Sequence, residues 1–184
     1  MAKCTICNSK KGKRHCSATD TLICSLCCGN TRKPDLCLGC GFYQKPKRKY
    51  GDVPAYSVSE MDGNMELEAY GNAIEGALCS YDVENNNKVR DNDAIKIIES
   101  LIDIHYFKDT PTTTGDQIVV NGVNYVEEVI KKDLQELSDE IIVKILGVIR
   151  FVAKRRTKTG REYMDIIHRY VGQRIDTGIR VLPQ

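Results

Sequence analysis

The chain has 184 residues, 28% charged and 41% hydrophobic, with a formal net charge of +2. That is the balance of a folded protein with one domain or two small ones, not of a disordered chain. No apolar run approaches the roughly 18 residues of a membrane span. The longest, Ile141 to Phe151, is broken by Lys144, Gly147 and Arg150. The N-terminus, Met1-Ala2-Lys3-Cys4, lacks the apolar stretch of a signal peptide. The expectation is a cytoplasmic protein with no membrane partner.

Charge is unevenly divided. Residues 1–50 hold 11 Lys or Arg against Asp20 and Asp35, a balance of +9. Residues 51–153 hold 20 acidic and eight basic residues, a balance of −12. Residues 154–184 hold eight basic and three acidic residues, a balance of +5. The chain therefore reads as a basic head, an acidic middle and a basic tail.

Cysteine is concentrated in the head, where eight of the nine lie between Cys4 and Cys40. In a chain without an export signal, clustered C-x-x-C pairs read as metal ligands rather than as a disulfide framework. The pairs are Cys4/Cys7, Cys24/Cys27 and Cys37/Cys40, with Cys16 and the tandem Cys28 completing eight donors. Zn²⁺ takes four sulfurs in a tetrahedron at about 2.3 Å, so eight thiolates divide into two closed sites and two Zn²⁺ per chain. The preferred pairing is interleaved, with Cys4, Cys7, Cys24 and Cys27 in one site and Cys16, Cys28, Cys37 and Cys40 in the other. A closed site is structural, whereas a catalytic zinc keeps an open position. Competing readings are a redox dithiol and an iron–sulfur cluster. His15 could replace Cys16 or Cys28 as a ligand but is expected outside the first shell. Cys79, alone in a helical stretch, reads as a small buried thiol.

The alternating pairs resemble the cross-brace of RING and B-box-type zinc modules. The fuller string Lys13-Arg14-His15-Cys16, Cys24-x-x-Cys27-Cys28-Gly29, Arg32 and Cys37-x-x-Cys40 also resembles a cysteine-rich N-terminal module of uncharacterised bacterial proteins. Both resemblances cover residues 4–40 alone. The sequence departs from the RING and B-box pattern in its near-absence of histidine ligands and in Cys27-Cys28.

Residues 1–43 are thus expected to form a double zinc-binding module, residues 44–56 a basic linker, and residues 57–184 a helical domain. Pro46, Gly51 and Pro54 resist helix in the linker, and Lys45, Lys47, Arg48 and Lys49 repel one another. Beyond it, Ser57 or Ser59 can cap a helix carrying Leu67, Tyr70, Ile74, Leu78 and Tyr81 at helical spacing. Asp91 or Asp93 opens a helix that is apolar on several faces, and so deeply buried. Ile118 to Tyr125, with Asn121-Gly122 at its centre, reads as a short β-hairpin or leads straight into a helix over 126–137. Ser138-Asp139-Glu140 starts the longest helix, which ends in Lys154-Arg155-Arg156, with Gly160 as a C′ residue beyond it. A last helix runs to Gly172, and Ile175 to Leu182 reads as a closing strand. The fold class is a small Cys-rich zinc module followed by a mainly α-helical domain.

Two functions fit. One is a zinc-binding adaptor contacting nucleic acid or a protein partner, with Lys47, Arg48, Lys49, Lys154, Arg155, Arg156, Lys158 and Arg161 as phosphate contacts. The other is an enzyme or enzyme subunit using His105, His168, Asp103 and Asp165. No spacing assembles those four into a motif, so no catalytic residue is assigned. The adaptor reading is preferred.

Overall fold

The structure is a computed structural model and describes residues 2–37, 40–43, 48–111 and 115–182. It divides into two compact units, Met1–Arg48 and Lys49–Gln184.

In the first unit, Lys3 pairs with Lys11 in an isolated antiparallel bridge. Between them Cys4 and Asn8 close a turn, the Asn8 amide donating to the Cys4 carbonyl at 2.8 Å. Strands β1 (Arg14–Cys16) and β2 (Thr21–Ile23) form a hairpin in which Cys16 faces Thr21 and Arg14 faces Ile23. Gly12 lies against this hairpin, where an added Cβ would sit 2.8 Å from the Leu22 carbonyl oxygen. Helix α1 (Ser25–Asn30) follows at once, capped by Cys24, and α2 is the single turn Pro34–Cys37. The buried cluster of this unit is Cys4, Ile23, Cys24 and Cys27, with Cys16 and Cys28 packed against it. A single isoleucine among thiols is no hydrophobic core.

The second unit is mainly helical. A 3₁₀ turn at Tyr50–Asp52 leads to α3 (Val58–Met61), where Ser57 and Glu60 form a capping box. Asn64 accepts the Glu66 and Leu67 amides and so starts α4 (Met65–Glu84). Then come α5 (Asp91–His105), α6 (Gln117–Asp133), α7 (Asp139–Arg156) and α8 (Glu162–Tyr170). A terminal hairpin of β3 (Gln173–Asp176) and β4 (Ile179–Val181) packs on α4. Helix α5 contacts α6, α7 and α8, which is why Ile97, Ile98, Leu101 and Ile102 on its several faces are all fully buried.

Two buried carboxylates tie the loops to this core. Asp82 accepts from the Val89 amide, from Arg161 Nη2 at 2.8 Å and from His168 Nε2 at 2.8 Å. Asp91 accepts the Tyr163 and Met164 amides at 3.2 and 3.1 Å, satisfying the first turn of α8. A buried charge is tolerated because each oxygen is paired in this way.

Several expectations are corrected. The expected hairpin at Ile118–Tyr125 is helix, lying inside α6. Asp116 caps it by accepting the Ile118 amide at 3.1 Å. Gly122 is there for close approach, since a Cβ would lie 2.4 Å from Ile97 Cδ1. An isolated two-stranded hairpin is marginal, and burying Val123 and Val126 against α5 outweighs β-propensity. The expected closing strand is a two-stranded hairpin turning at Gly178. Helix α7 is capped by Thr157, so Gly160 is not its C′ residue. The expected linker is not a linker over residues 49–56. Val53 is buried in the core, Tyr50 Oη donates to Asp103, and the Tyr56 amide donates to the Lys144 carbonyl at 3.3 Å. Residues 44–47 lie outside the described residues.

The same packing makes Gly147 of α7 a sensitive position. A Cβ there would lie 2.6 Å from the Pro54 carbonyl oxygen and 2.8 Å from Ala55 Cβ. Alanine in a helix interior gains about 0.8–1 kcal/mol over glycine, and overpacking costs about 1–3 kcal/mol. Gly147→Ala is therefore expected to destabilise the second unit by about 1 kcal/mol in urea unfolding. A stabilised variant would show that residues 54–55 yield freely.

Candidate metal centre

The first C-x-x-C sits in the Cys4–Asn8 turn and the second at the start of α1. The hairpin between them carries the chain back so that both meet. The sulfurs of Cys4, Cys7, Cys24 and Cys27 all lie within 4.8 Å of one another. Cys7 Sγ is 4.0 Å from Cys24 Sγ. Four sulfurs on one Zn²⁺ stand about 3.8 Å apart, from bonds of about 2.3 Å in a tetrahedron. The group could hold a metal ion, and its donor set is complete without a further ligand.

The electrostatics have the same cause. The Ser9 hydroxyl and the Ser9 and Lys10 amides hold the Cys7 thiol down at about 5. Cys27 is pushed up to about 12 by Cys24 beside it, by burial, and by Cys7 and Cys4. The Cys27 amide nevertheless donates to Cys24 Sγ at 3.4 Å, as a helix cap. Backbone donors thus favour thiolate at one edge of the group, while crowding at the other resists a further negative charge. A divalent cation at the centre would resolve that conflict.

Cys16, Cys28, Cys37 and Cys40 are not gathered so tightly. All four line one cavity of about 150 Å³, together with Arg14, Thr19 and Phe42. Arg14 Nη1 donates to Cys28 Sγ at 3.5 Å, and its guanidinium lies 4.9 Å from the Phe42 ring centre. His15, also on the rim, faces Asp20 at 3.1 Å. Nothing in the sequence spacing singled out Phe42 or placed Arg14 against it. Cys79 is fully buried on α4, and burial raises its thiol well above the usual range.

The basic residues fall into three groups. Lys47 lies outside the described residues, Arg48 ends the first unit, and Lys49 begins the second. Arg155, Arg156 and Lys158 are exposed, and Lys154 lies 3.2 Å from Glu99. Arg161 is committed to structure. It pairs with Asp82 and donates to the Asn87 and Val89 carbonyls at 2.8 Å each.

His168, Asp165, Asp103 and His105 are held in separate interactions. His168 bonds Asp82, Asp165 pairs with Arg161 at 3.4 Å, and Asp103 accepts from Tyr50. His105 lies between Glu127 at 2.9 Å and Asp139 at 2.6 Å, joining α5, α6 and α7. No protein-family model, no curated protein and no solved structure matches the chain. No described helix is long and apolar enough to cross a membrane.

The His105 cluster has a defined pH signature. Burial alone would lower the imidazole, but Glu127 and Asp139 outweigh it and raise the group above its usual value. The stabilisation from His105 is then complete below about pH 6.5 and is lost as pH rises through the folded value. Glu127 is lowered: burial opposes the shift, but His105 and Lys131 outweigh it. Asp139 is lowered chiefly by Lys108 and His105. Their contribution is complete above about pH 4.3 and is lost as pH falls below it. His105→Gln should therefore narrow the stability difference between pH 5.5 and pH 8.5, measured by urea unfolding. An unchanged difference would remove the cluster from the pH response.

Proposed function

We propose that this chain is a zinc-binding adaptor whose head is folded by two structural Zn²⁺ ions and whose partner is a nucleic acid. The observation that carries the reading is the closed quartet of Cys4, Cys7, Cys24 and Cys27. Four thiolates fill a tetrahedron and leave no position for water or substrate, so the ion organises structure rather than chemistry. A second ion on Cys16, Cys28, Cys37 and Cys40 is supported by the cavity that those four line. Zinc is favoured over other divalent ions by an all-sulfur donor set with tetrahedral spacing. The nucleic-acid reading draws on Arg155, Arg156 and Lys158. They are exposed and, among the described residues, their side chains form no ion pair.

Such a head gains most of its folding energy from its ions, because its thiols stand where a core would be. The second unit has a core of its own. Elemental analysis of the purified chain should find two zinc ions, and Cys79→Ser should leave that number unchanged. Cys16→Ser combined with Cys37→Ser should remove one ion and retain the other. Chelation should release both ions and unfold the head, while most helical ellipticity survives. One ion in the wild type would defeat the second site, and iron in place of zinc would defeat the assignment of the metal. Loss of helicity on chelation would show that the two units share their stability.

A further inference from the structure

The second unit carries an acidic cavity and an acid-free groove, and the contrast is informative. The cavity, about 350 Å³, is lined by Asp103, Asp109 and Asp116 with Lys96, Ser100, Thr110 and apolar residues. The groove runs between the segment 50–58 and the C-terminal half of α7. It has two continuous parts of about 470 and 350 Å³, sharing Val58, Phe151 and Arg155. Among the described residues no carboxylate lines either part, although residues 51–153 carry a balance of −12. Of the acids around it, Glu99 is taken up by Arg150 at 2.7 Å and Lys154 at 3.2 Å, Glu140 by Lys144 at 2.7 Å, and Glu60 by the Ser57 amide at 2.7 Å.

Each ring along the groove stands beside a cation. Arg150 lies 5.0 Å from the Tyr50 ring centre, Lys144 5.7 Å from that of Tyr56, and Arg155 5.4 Å from that of Phe151. Phe151 is 48% exposed and Val58 56% exposed. Arg156 lines the smaller part of the groove. Cations in the last turn of a helix offset its macrodipole. That role accounts for positive charge at Lys154 to Arg156, but not for an exposed phenylalanine one turn earlier or for aromatic rings interleaved with the cations.

Interleaved rings and cations match a chain of alternating bases and phosphates. Every base has a π-face that stacks on an aromatic ring or a guanidinium plane, and every linkage carries one negative charge. In a duplex the bases are already stacked on each other, so exposed rings gain nothing there. We infer that this groove binds single-stranded nucleic acid. Phe151 and Tyr56 stack bases, while Arg155 and Arg156 take the flanking phosphates. The inference rests on the nucleic-acid reading above and adds the strandedness of the ligand and the surface that holds it.

The test uses the full, zinc-loaded chain and fluorescence anisotropy with labelled oligonucleotides of about 12 residues, a typical single-strand site size. The probes are oligo-dT, oligo-rU and a duplex of the same length. Both single strands are expected to bind more tightly than the duplex, and the ratio of dT to rU tells DNA from RNA. Phe151→Ala should weaken binding by roughly 5- to 150-fold, the range for losing one stacked base. Phe151→Tyr should bind like wild type, whereas Phe151→Leu should resemble Phe151→Ala. Arg155→Ala with Arg156→Ala should make the log–log salt slope shallower by about 1.4, two phosphates at about 0.7 each. Arg169→Ala, an exposed cation on α8, should change nothing. Zinc content should be the same in every variant. Full binding by Phe151→Leu would mean a merely apolar patch, as a protein partner would use, and would overturn the inference. So would equal affinity for duplex. Two bound zinc ions with no salt-sensitive binding to any probe would remove both the groove and the nucleic-acid partner, while the metal assignment stood.

Discussion

Mutual crowding of thiols is the constraint on which the first 48 residues depend. Cys4, Cys24 and Cys27 occupy the centre of that unit, where another small domain would place leucine and phenylalanine, and Cys7 joins them from its surface. Their sulfurs, within 4.8 Å of one another, repel as thiolates and gain little from packing as thiols. A divalent cation turns that repulsion into the strongest attraction in the unit. The Cys4–Asn8 turn, the β1–β2 hairpin and the cap of α1 all serve to bring the two pairs together. Gly12 lets the backbone approach Leu22 closely enough to do so. With an ion held there, folding of the head and binding of the ion would be one equilibrium.

The second unit solves the same problem by other means. Its core is continuous and apolar, with α5 at the centre. The polar groups it buries are few and fully paired. Asp82 gathers the end of α4, the loop before α5 and both ends of α8 through Val89, Arg161 and His168. Asp91 gathers α5 and α8. Breaking such a pair strands a buried charge, which costs more than the pair itself contributes. Arg161 is for that reason a structural cation, although its neighbours in sequence are exposed.

Charge in the second unit is segregated by position rather than neutralised throughout. Acidic side chains collect around the cavity beside α5 and α6. Among the described residues no acid lines the groove along α7, and Glu99 beside it is held by Arg150 and Lys154. A basic strip is thereby left on a unit of net negative charge. Such a strip selects a narrow polyanion and discourages a broad one.

Much of the organisation was legible in the sequence. The meeting of Cys4/Cys7 with Cys24/Cys27 was expected from the C-x-x-C spacing, because short turns of that kind point two sulfurs at one place. The start of α7 at Ser138 and the burial of α5 follow from local chemistry and periodicity, whereas Ser57, expected to cap the helix through Leu67 and Tyr81, caps the short α3 and leaves that role to Asn64. Other features depended on partners distant in the chain. Asn121-Gly122 carries a turn signal, yet Gly122 lies in a helix because Ile97 and Tyr81 need the space beside it. Residues 49–56 have the composition of a linker, yet Val53 and Tyr56 are held against the helices. Lys154, Arg155, Arg156, Lys158 and Arg161 look alike in sequence. Only the fold gives Lys154 to Glu99 and Arg161 to Asp82, and leaves Arg155 and Arg156 beside Phe151. By itself the sequence determined ligand spacing, helix caps and periodicity, because those depend on neighbours a few residues apart. The tertiary structure decided which glycine is a spacer and which cation stays exposed, because those depend on groups tens of residues away.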